Sequence, residues 1–244
     1  MNYELKNSGV IYSCNDNLRF LEEAVVSAKS VKKNSPSLKI CLFHNYDIKF
    51  LDRYDLDIFT EIKKVLISDD TFNKFKNKNP FCVFKLHSIL NTPYDQTLFL
   101  DSDTEIKKPI DSLFKLLTKF DIAFAPGPFC QKPIDKFDII NEIPSEFPEP
   151  NTGVLLYSTN AKTKKFLSNW RRVFHDNIDG LQRDHGKGGE QVSLRYLLWS
   201  DTSVRPYVLS PNGPPNPFNY RFPDSGKNFS LKNSIVIHHA RNRK

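Results

Sequence analysis

Nowhere in these 244 residues does a run of ~18 apolar side chains occur, which excludes a helical membrane span. The stretch Met1 to Ser8 is polar and holds no apolar core of the kind a secretory leader needs, so the cytoplasm is the expected location. On that expectation the single glycosylation sequon, Asn228-Phe229-Ser230, has no bearing. Cysteine is sparse and scattered. Cys14, Cys41, Cys82 and Cys130 form no C-x-x-C pair and no His/Cys cluster, which argues against a disulfide framework and a structural zinc site. Three of them lie in or beside apolar runs and are expected to behave as small buried hydrophobes. Zinc fingers, aromatic RNP motifs and a basic stripe are also missing, so the net charge of +7 does not indicate nucleic acid. Apart from the tail Arg241-Asn242-Arg243-Lys244, the basic residues are spread out. They describe a solvated surface that attracts anions such as a diphosphate or, by peripheral contact, a membrane headgroup. No repeat and no low-complexity linker divides the chain.

What is present supports a filled core: 39% of residues are hydrophobic, and 20 are Phe, which excludes disorder. Gly9 to Ser13 is short and apolar and predicts a buried first strand. A helix is expected from about Asn17 to Asn34, with Leu18, Leu21, Val25 and Ala28 on one face and Asn15 or Asp16 as its cap. Lys39 to Phe43 is the next strand. This β-α-β order predicts a parallel pair. Further along, a helix is expected over Phe81 to Leu90, then strands at Gln96 to Leu100, Asp121 to Ala125 and Gly153 to Tyr157. Helices follow at Ala161 to His175 and Glu190 to Trp199, and a last strand at Ser234 to Ile237. Pro-rich loops are expected over Pro126 to Pro150 and Ser210 to Pro223. The whole predicts one α/β domain: a Rossmann-like nucleotide-binding half over residues 1–105 and a sugar- and acceptor-binding half over 106–244.

Chemistry concentrates where Gln96 to Leu100 runs into Asp101-Ser102-Asp103. Residues two apart in an extended segment point the same way, so both carboxylates can engage one cation. They follow a parallel strand, and open α/β sheets bind ligands at the carboxyl ends of such strands. A divalent cation there neutralises a departing diphosphate without a proton. The pattern D-x-D is weak alone. A second copy, Asp55-Leu56-Asp57, lacks a preceding strand and is expected on the surface.

The residues bear on three rival readings. A haloacid-dehalogenase-type phosphatase would want Thr or Val at Glu105 and a nucleophile near the start of the domain. A sugar nucleotidyltransferase would open with a Gly-rich, Arg-bearing loop where this chain has Ser13-Cys14-Asn15-Asp16. A non-catalytic sugar- or partner-binding module on the same fold stays open, since fold does not dictate function, with Asp101, Asp103 and His239 arguing against it. Gly186 to Gly189 lacks the spacing and the terminal Lys-Ser/Thr of a phosphate loop.

Five segments in this order resemble GT-A glycosyltransferases, in particular the branch that includes glycogenin and the bacterial lipopolysaccharide galactosyltransferases. They are GVIYSCNDNLRFLEEAVVSAKSVKK, PFCVFKLHSILNTPYDQTLFLDSDTEI, EPNTGVLLY, GGEQVSLRYLLW and IVIHHARN. The resemblance implies a GT-A fold, with a mixed, mostly parallel sheet flanked by helices. It also implies sugar transfer from a UDP- or GDP-sugar donor to a glycan, lipid-linked or protein acceptor. By the same resemblance Tyr12, Ser13, Lys85, Asp101 and Ser102 meet the nucleotide. Asp101, Asp103 and His239 hold Mn²⁺ or Mg²⁺, with His238 the lesser choice. Asn151, Gly153 and Glu190 line the sugar, and Glu190 and Gln191 lie near the anomeric carbon as catalytic groups. Two departures stand out. Many members carry Asp-Gln where this chain has Glu190-Gln191, and no Gly/Lys phosphate motif follows His239, leaving Arg241 as a substitute. The Gln after the carboxylate favours retention of configuration.

Overall fold

A computed structural model describes residues 7–66, 80–127, 142–177, 189–209, 218, 220–222 and 235–239, with backbone alone at 48, 220–222 and 237–239. Along the chain run β1 (Ser8–Cys14), α1 (Leu18–Asn34), β2 (Lys39–His44), α2 (Ile48–Leu51), β3 (Glu61–Lys64), α3 (Pro80–Leu90), β4 (Gln96–Leu100) and β5 (Thr104–Ile106). A 3-10 helix (Asp111–Thr118) leads to β6 (Ile122–Pro126), β7 (Pro150–Ser158), α4 (Ala161–Asp176), α5 (Gly189–Ser200), β8 (Pro206–Val208), β9 (Tyr220–Phe222) and β10 (Val236–His239).

The main sheet has the order β3-β2-β1-β4-β7-β6-β8. β1 pairs in parallel with both β2 and β4, β2 with β3, and β6 with β8; β7 is antiparallel to β4 and to β6. The chain thus leaves β1 toward β2 and β3, then returns to place β4 on the other side of β1. That reversal opens a crevice at the carboxyl ends of β1 and β4, the position where doubly wound sheets bind ligands. A small second sheet, β5-β10-β9, continues from the Asp101 turn.

The period of two along the strands sorts the core into two layers. Val10, Tyr12, Leu98 and Leu100 pack with Leu21, Ala24, Val25 and Ala28 of α1. Ile11, Phe99 and Leu155 pack on the opposite face with Phe84 of α3, Phe166 and Trp170 of α4, and Leu194 of α5. Gly9 has a reason to be glycine: a Cβ there would lie 2.4 Å from the Tyr94 ring.

Several expectations shift. The cap of α1 is Asn17, whose Oδ1 accepts from the Arg19 amide at 3.0 Å. Asp16 is unavailable for capping because it adopts a left-handed φ of 61° and pairs with Asn45. Tyr220 to Phe222, expected as loop, forms β9 because β10 offers it a parallel partner. Some segments were not anticipated: α2, β3, β5 and β8 are three or four residues long, too brief to show a period, and the 3-10 helix sets its apolar residues in adjacent pairs, Leu113-Phe114 and Leu116-Leu117, that mark neither a strand nor an α-helix face. Cys14, Cys41 and Cys82 are buried thiols as expected. Cys130, His185, the Gly186 to Gly188 run, the sequon at Asn228 and Arg241 lie outside the described residues, as does most of both Pro-rich loops.

Candidate functional site

Asp101 follows directly on β4, and the chain turns there before β5 begins at Thr104. The two carboxylates are therefore related by a turn, not by the pleat of one strand. Both are half-buried, and Ser102 between them is buried. The turn is held from several sides. The Asp101 amide donates to the Gly153 carbonyl at 2.9 Å, and Ser102 Oγ donates to Glu23 at 3.2 Å. From beneath, Thr104 Oγ1 donates to the Asp101 carbonyl at 2.8 Å. Thr104 Oγ1 also meets Ser27 Oγ at 2.8 Å, which meets the Tyr12 hydroxyl at 2.8 Å. Each hydroxyl has one proton. Since Thr104 spends its proton on the Asp101 carbonyl, Ser27 donates to Thr104 and Tyr12 to Ser27. Burial pushes the Tyr12 phenol well above its ordinary pKa, so it keeps the proton this chain requires.

This geometry places Tyr12 under the turn, fully buried, rather than on a ligand-facing surface. Ser13 is likewise buried, its Oγ in hydrogen-bond contact with Ser88 Oγ at 3.1 Å. Both side chains are engaged in the packing between β1 and its helices.

Lys85 is brought to Asp101 by two periodicities. On β4 Phe99 faces α3, so two residues on Asp101 lies toward the same helix. Lys85 of α3 is about as buried as a lysine can be, at 1% exposure. Its ammonium donates to Asp101 Oδ1 at 2.9 Å and to Thr152 Oγ1 at 3.0 Å, stands 3.7 Å from Glu190 Oε1, and sits over the Phe99 ring at 4.8 Å. Burial alone would lower its pKa, but the carboxylates of Asp101 and Glu190 outweigh burial and hold it above the ordinary lysine value. It is a fixed positive charge.

Glu190, in the first turn of α5, is buried as well. Its Oε1 accepts from Thr152 Oγ1 at 3.0 Å and its Oε2 from the Cys82 thiol at 2.8 Å. Its carbonyl accepts from Trp170 Nε1 at 2.9 Å, which ties α5 to α4. Burial, reinforced by the Glu190 charge, pushes the Cys82 pKa well up, so the thiol stays a donor. Asn151 is buried with Oδ1 accepting from the Gly153 amide at 2.9 Å, a bond that shapes the backbone contacting Asp101. Gln191 is half-buried on α5.

β10 runs antiparallel to β5 with His238 opposite Thr104, the first residue of β5, and His239 ends β10. The described side chains alone form no group of three His, Cys, Asp or Glu fit for a metal. The His239 side chain is not among them. Asp55 and Asp57 lie far from this arrangement in exposed backbone between α2 and β3, where Asp55 pairs with Lys29 at 2.9 Å.

Several participants were not singled out by sequence. Cys82 and Thr152 complete the Lys85–Glu190 contacts. For Cys82 the usable signal was its spacing of three from Lys85 on one helix face. Asn15 and Asp16 end β1 at the crevice. Asn15 Oδ1 is buried with no hydrogen-bond partner among the described residues, while its Nδ2 donates to Asp16 at 2.7 Å. The signal there was position, directly after the first strand. The left-handed Asp16 is a costly conformation for a non-glycine residue, about 1–2 kcal/mol, and two hydrogen bonds with Asn45 hold it.

The sequence matches no protein-family model and no curated protein. Solved structures do match. An active-site mutant of LgtC aligns over 95% of this chain and 86% of its own, at 15% identity and a TM-score of 0.61. Mouse xyloside xylosyltransferase 1 aligns over 95% and 97%, at 13% identity and a TM-score of 0.60. The bifunctional glycosyltransferase WbbM aligns over 96% of this chain and 45% of its own, at 12% identity and a TM-score of 0.62. With its mixed, mostly parallel seven-stranded sheet flanked by helices, the chain has the GT-A fold of these glycosyltransferases.

Proposed function

We propose that this protein is a metal-dependent glycosyltransferase that moves a sugar from a nucleoside-diphosphate donor to a glycan, lipid-linked or protein acceptor. One observation carries the reading: a half-exposed pair of carboxylates, Asp101 and Asp103, stands at the carboxyl ends of β1 and β4, with a buried cation beneath it. The neighbours add support, since LgtC is a galactosyltransferase described in complex with donor and acceptor sugar analogues.

The donor set fits a hard divalent cation such as Mn²⁺ or Mg²⁺. Carboxylate oxygens are ordinary protein ligands of such a cation, an imidazole suits the softer Mn²⁺ better than Mg²⁺, and remaining positions suit diphosphate oxygens. Asp101, Asp103 and His239 would hold it, and when bound it supplies neutralising charge to the leaving diphosphate. Lys85 donates to Asp101 Oδ1 at 2.9 Å and so fixes the orientation of that carboxylate. The chain's own contribution is positioning. The hydroxyl chain from Tyr12 and the Gly153 carbonyl fix the turn, Asn15 offers an unused acceptor at the crevice for the nucleoside, and Asn151, Gly153 and Gln191 border the sugar. Retention of configuration is the favoured outcome. No described helix is long and apolar enough to cross a membrane, and the basic surface suits peripheral contact with a lipid-linked acceptor. The direct test is thermal: Mn²⁺ with UDP or GDP should raise the melting temperature, and sugar release from a donor panel should follow. A protein neither stabilised by any such pair nor able to release sugar is not this enzyme.

A further inference from the structure

Glu190 occupies the place where a carboxylate acting on the sugar would be sought, yet its contacts point inward. Both carboxylate oxygens are engaged by protein donors, Thr152 Oγ1 on one and the Cys82 thiol on the other. Its residue is 4% exposed, and Trp170 and Ser193 fix its carbonyl at 2.9 Å and 3.0 Å. To act as a base or nucleophile its carboxylate would have to leave two donors on two different elements, Thr152 of β7 and Cys82 of α3. Lys85 lies between Glu190 and Asp101, at 3.7 Å and 2.9 Å. Thr152 links the two charged groups directly, since its hydroxyl accepts from Lys85 and donates to Glu190.

We infer that Glu190 is a positioning residue that acts on the cation site through Lys85 and Asp101, and does not touch the sugar. The inference rests on the proposed cation site at Asp101. The charge argument is simple. One ammonium lies between two carboxylates, so the triad carries a net charge of about −1, and its one half-exposed member, Asp101, presents that charge to the crevice. Without Glu190, Lys85 and Asp101 form a neutral pair. The ammonium then competes undivided for the oxygen atoms a metal needs, and in a buried setting such competition is poorly screened. Groups that orient metal ligands from behind have effects of this kind, about 10–100-fold in metal affinity. Cys82 and Thr152 hold Glu190 in register with Lys85, so they belong to the same device.

Mn²⁺ binding measured directly, by the paramagnetic resonance signal of free Mn²⁺ in the absence of any sugar donor, separates the possibilities. Glu190→Gln should weaken Mn²⁺ binding by about 10–100-fold while the melting temperature of the metal-free protein shows it still folded. Thr152→Val, which removes the bridging hydroxyl but keeps the charge, should weaken it in the same direction, and Thr152→Ser should restore it. Mn²⁺ affinity unchanged in both Glu190→Gln and Thr152→Val, with turnover lost in Glu190→Gln, overturns the inference and returns Glu190 to the sugar. If Glu190→Gln does not fold, the Thr152 pair decides alone. Failure of the wild-type protein itself to bind Mn²⁺, with Asp103→Ala indistinguishable from it, would overturn the cation site and the inference with it.

Discussion

The chain contains two D-x-D turns, and each has an aspartate in an ion pair with lysine at 2.9 Å. The side chains of Asp55 and Lys29 are 59% and 52% exposed, whereas those of Asp101 and Lys85 are 24% and 2% exposed. An exposed pair of this kind contributes roughly 0–1 kcal/mol. Removing one partner of a buried pair costs ~3–5 kcal/mol, because the other charge is stranded. The same three letters thus make a solvated surface turn in one place and a charged, multiply anchored site in the other. What separates them is the element before them. Asp55 follows the short α2, while Asp101 follows a strand buried at four of its five positions beside the topological reversal of the sheet.

The sharpest way to break the comparison is Asp103→Ala. Turnover should fall below detection, with the melting temperature of the ligand-free protein within a few degrees of wild type, since the side chain is half-exposed. Next is Tyr12→Phe. Deleting the hydroxyl leaves Ser27 without its donor and should lower stability by about 1–2 kcal/mol, with nucleotide affinity retained. Lost nucleotide affinity at unchanged stability would mean that Tyr12 meets the ligand after all. Asp121 provides a third kind of aspartate, a buried staple with no ligand role. It accepts from Lys162 and from the Arg205 amide, and although burial opposes ionisation, these donors hold its pKa below the ordinary carboxylate value. A depressed folded-state pKa stabilises above the unfolded value of ~3.9 and loses that contribution as pH falls through the folded one. Asp121→Asn should therefore be less stable at neutral pH by about 1 kcal/mol or less, and the difference should vanish in strong acid; denaturant titration at several pH values checks both. Smallest of all is Asp55→Ala with Asp57→Ala, expected within about 0.5 kcal/mol of wild type and unchanged in nucleotide affinity by calorimetry.

Strands with a clear period and helices with a clear face were legible in the sequence: β1, β2, β4, β7, α1, α3, α4 and α5 fall within a few residues of expectation. The edge strands β3 and β8 were not, since half-exposed sequences such as Glu61–Lys64 take their conformation from a neighbour. Lys85 and Glu190 could be selected as residues, but not the direction each faces. Their partners Cys82 and Thr152 look like core filler in one dimension, and only the meeting of α3, β7 and α5 makes them donors to one carboxylate. Tyr12 shows the converse. A polar aromatic at the end of a first strand suggests a ligand contact, yet β1 alternation sends it into the layer beneath α1.

The reaction proposed for the Asp101 turn is sugar transfer from a nucleotide donor. Release of free sugar and nucleoside diphosphate from a panel of UDP- and GDP-sugars, followed by chromatography with and without Mn²⁺, tests it most directly. Metal-dependent release is expected from at least one donor with the wild-type protein and with the Asp55→Ala, Asp57→Ala variant, and none with Asp103→Ala. Equal release by the Asp103→Ala variant would contradict it.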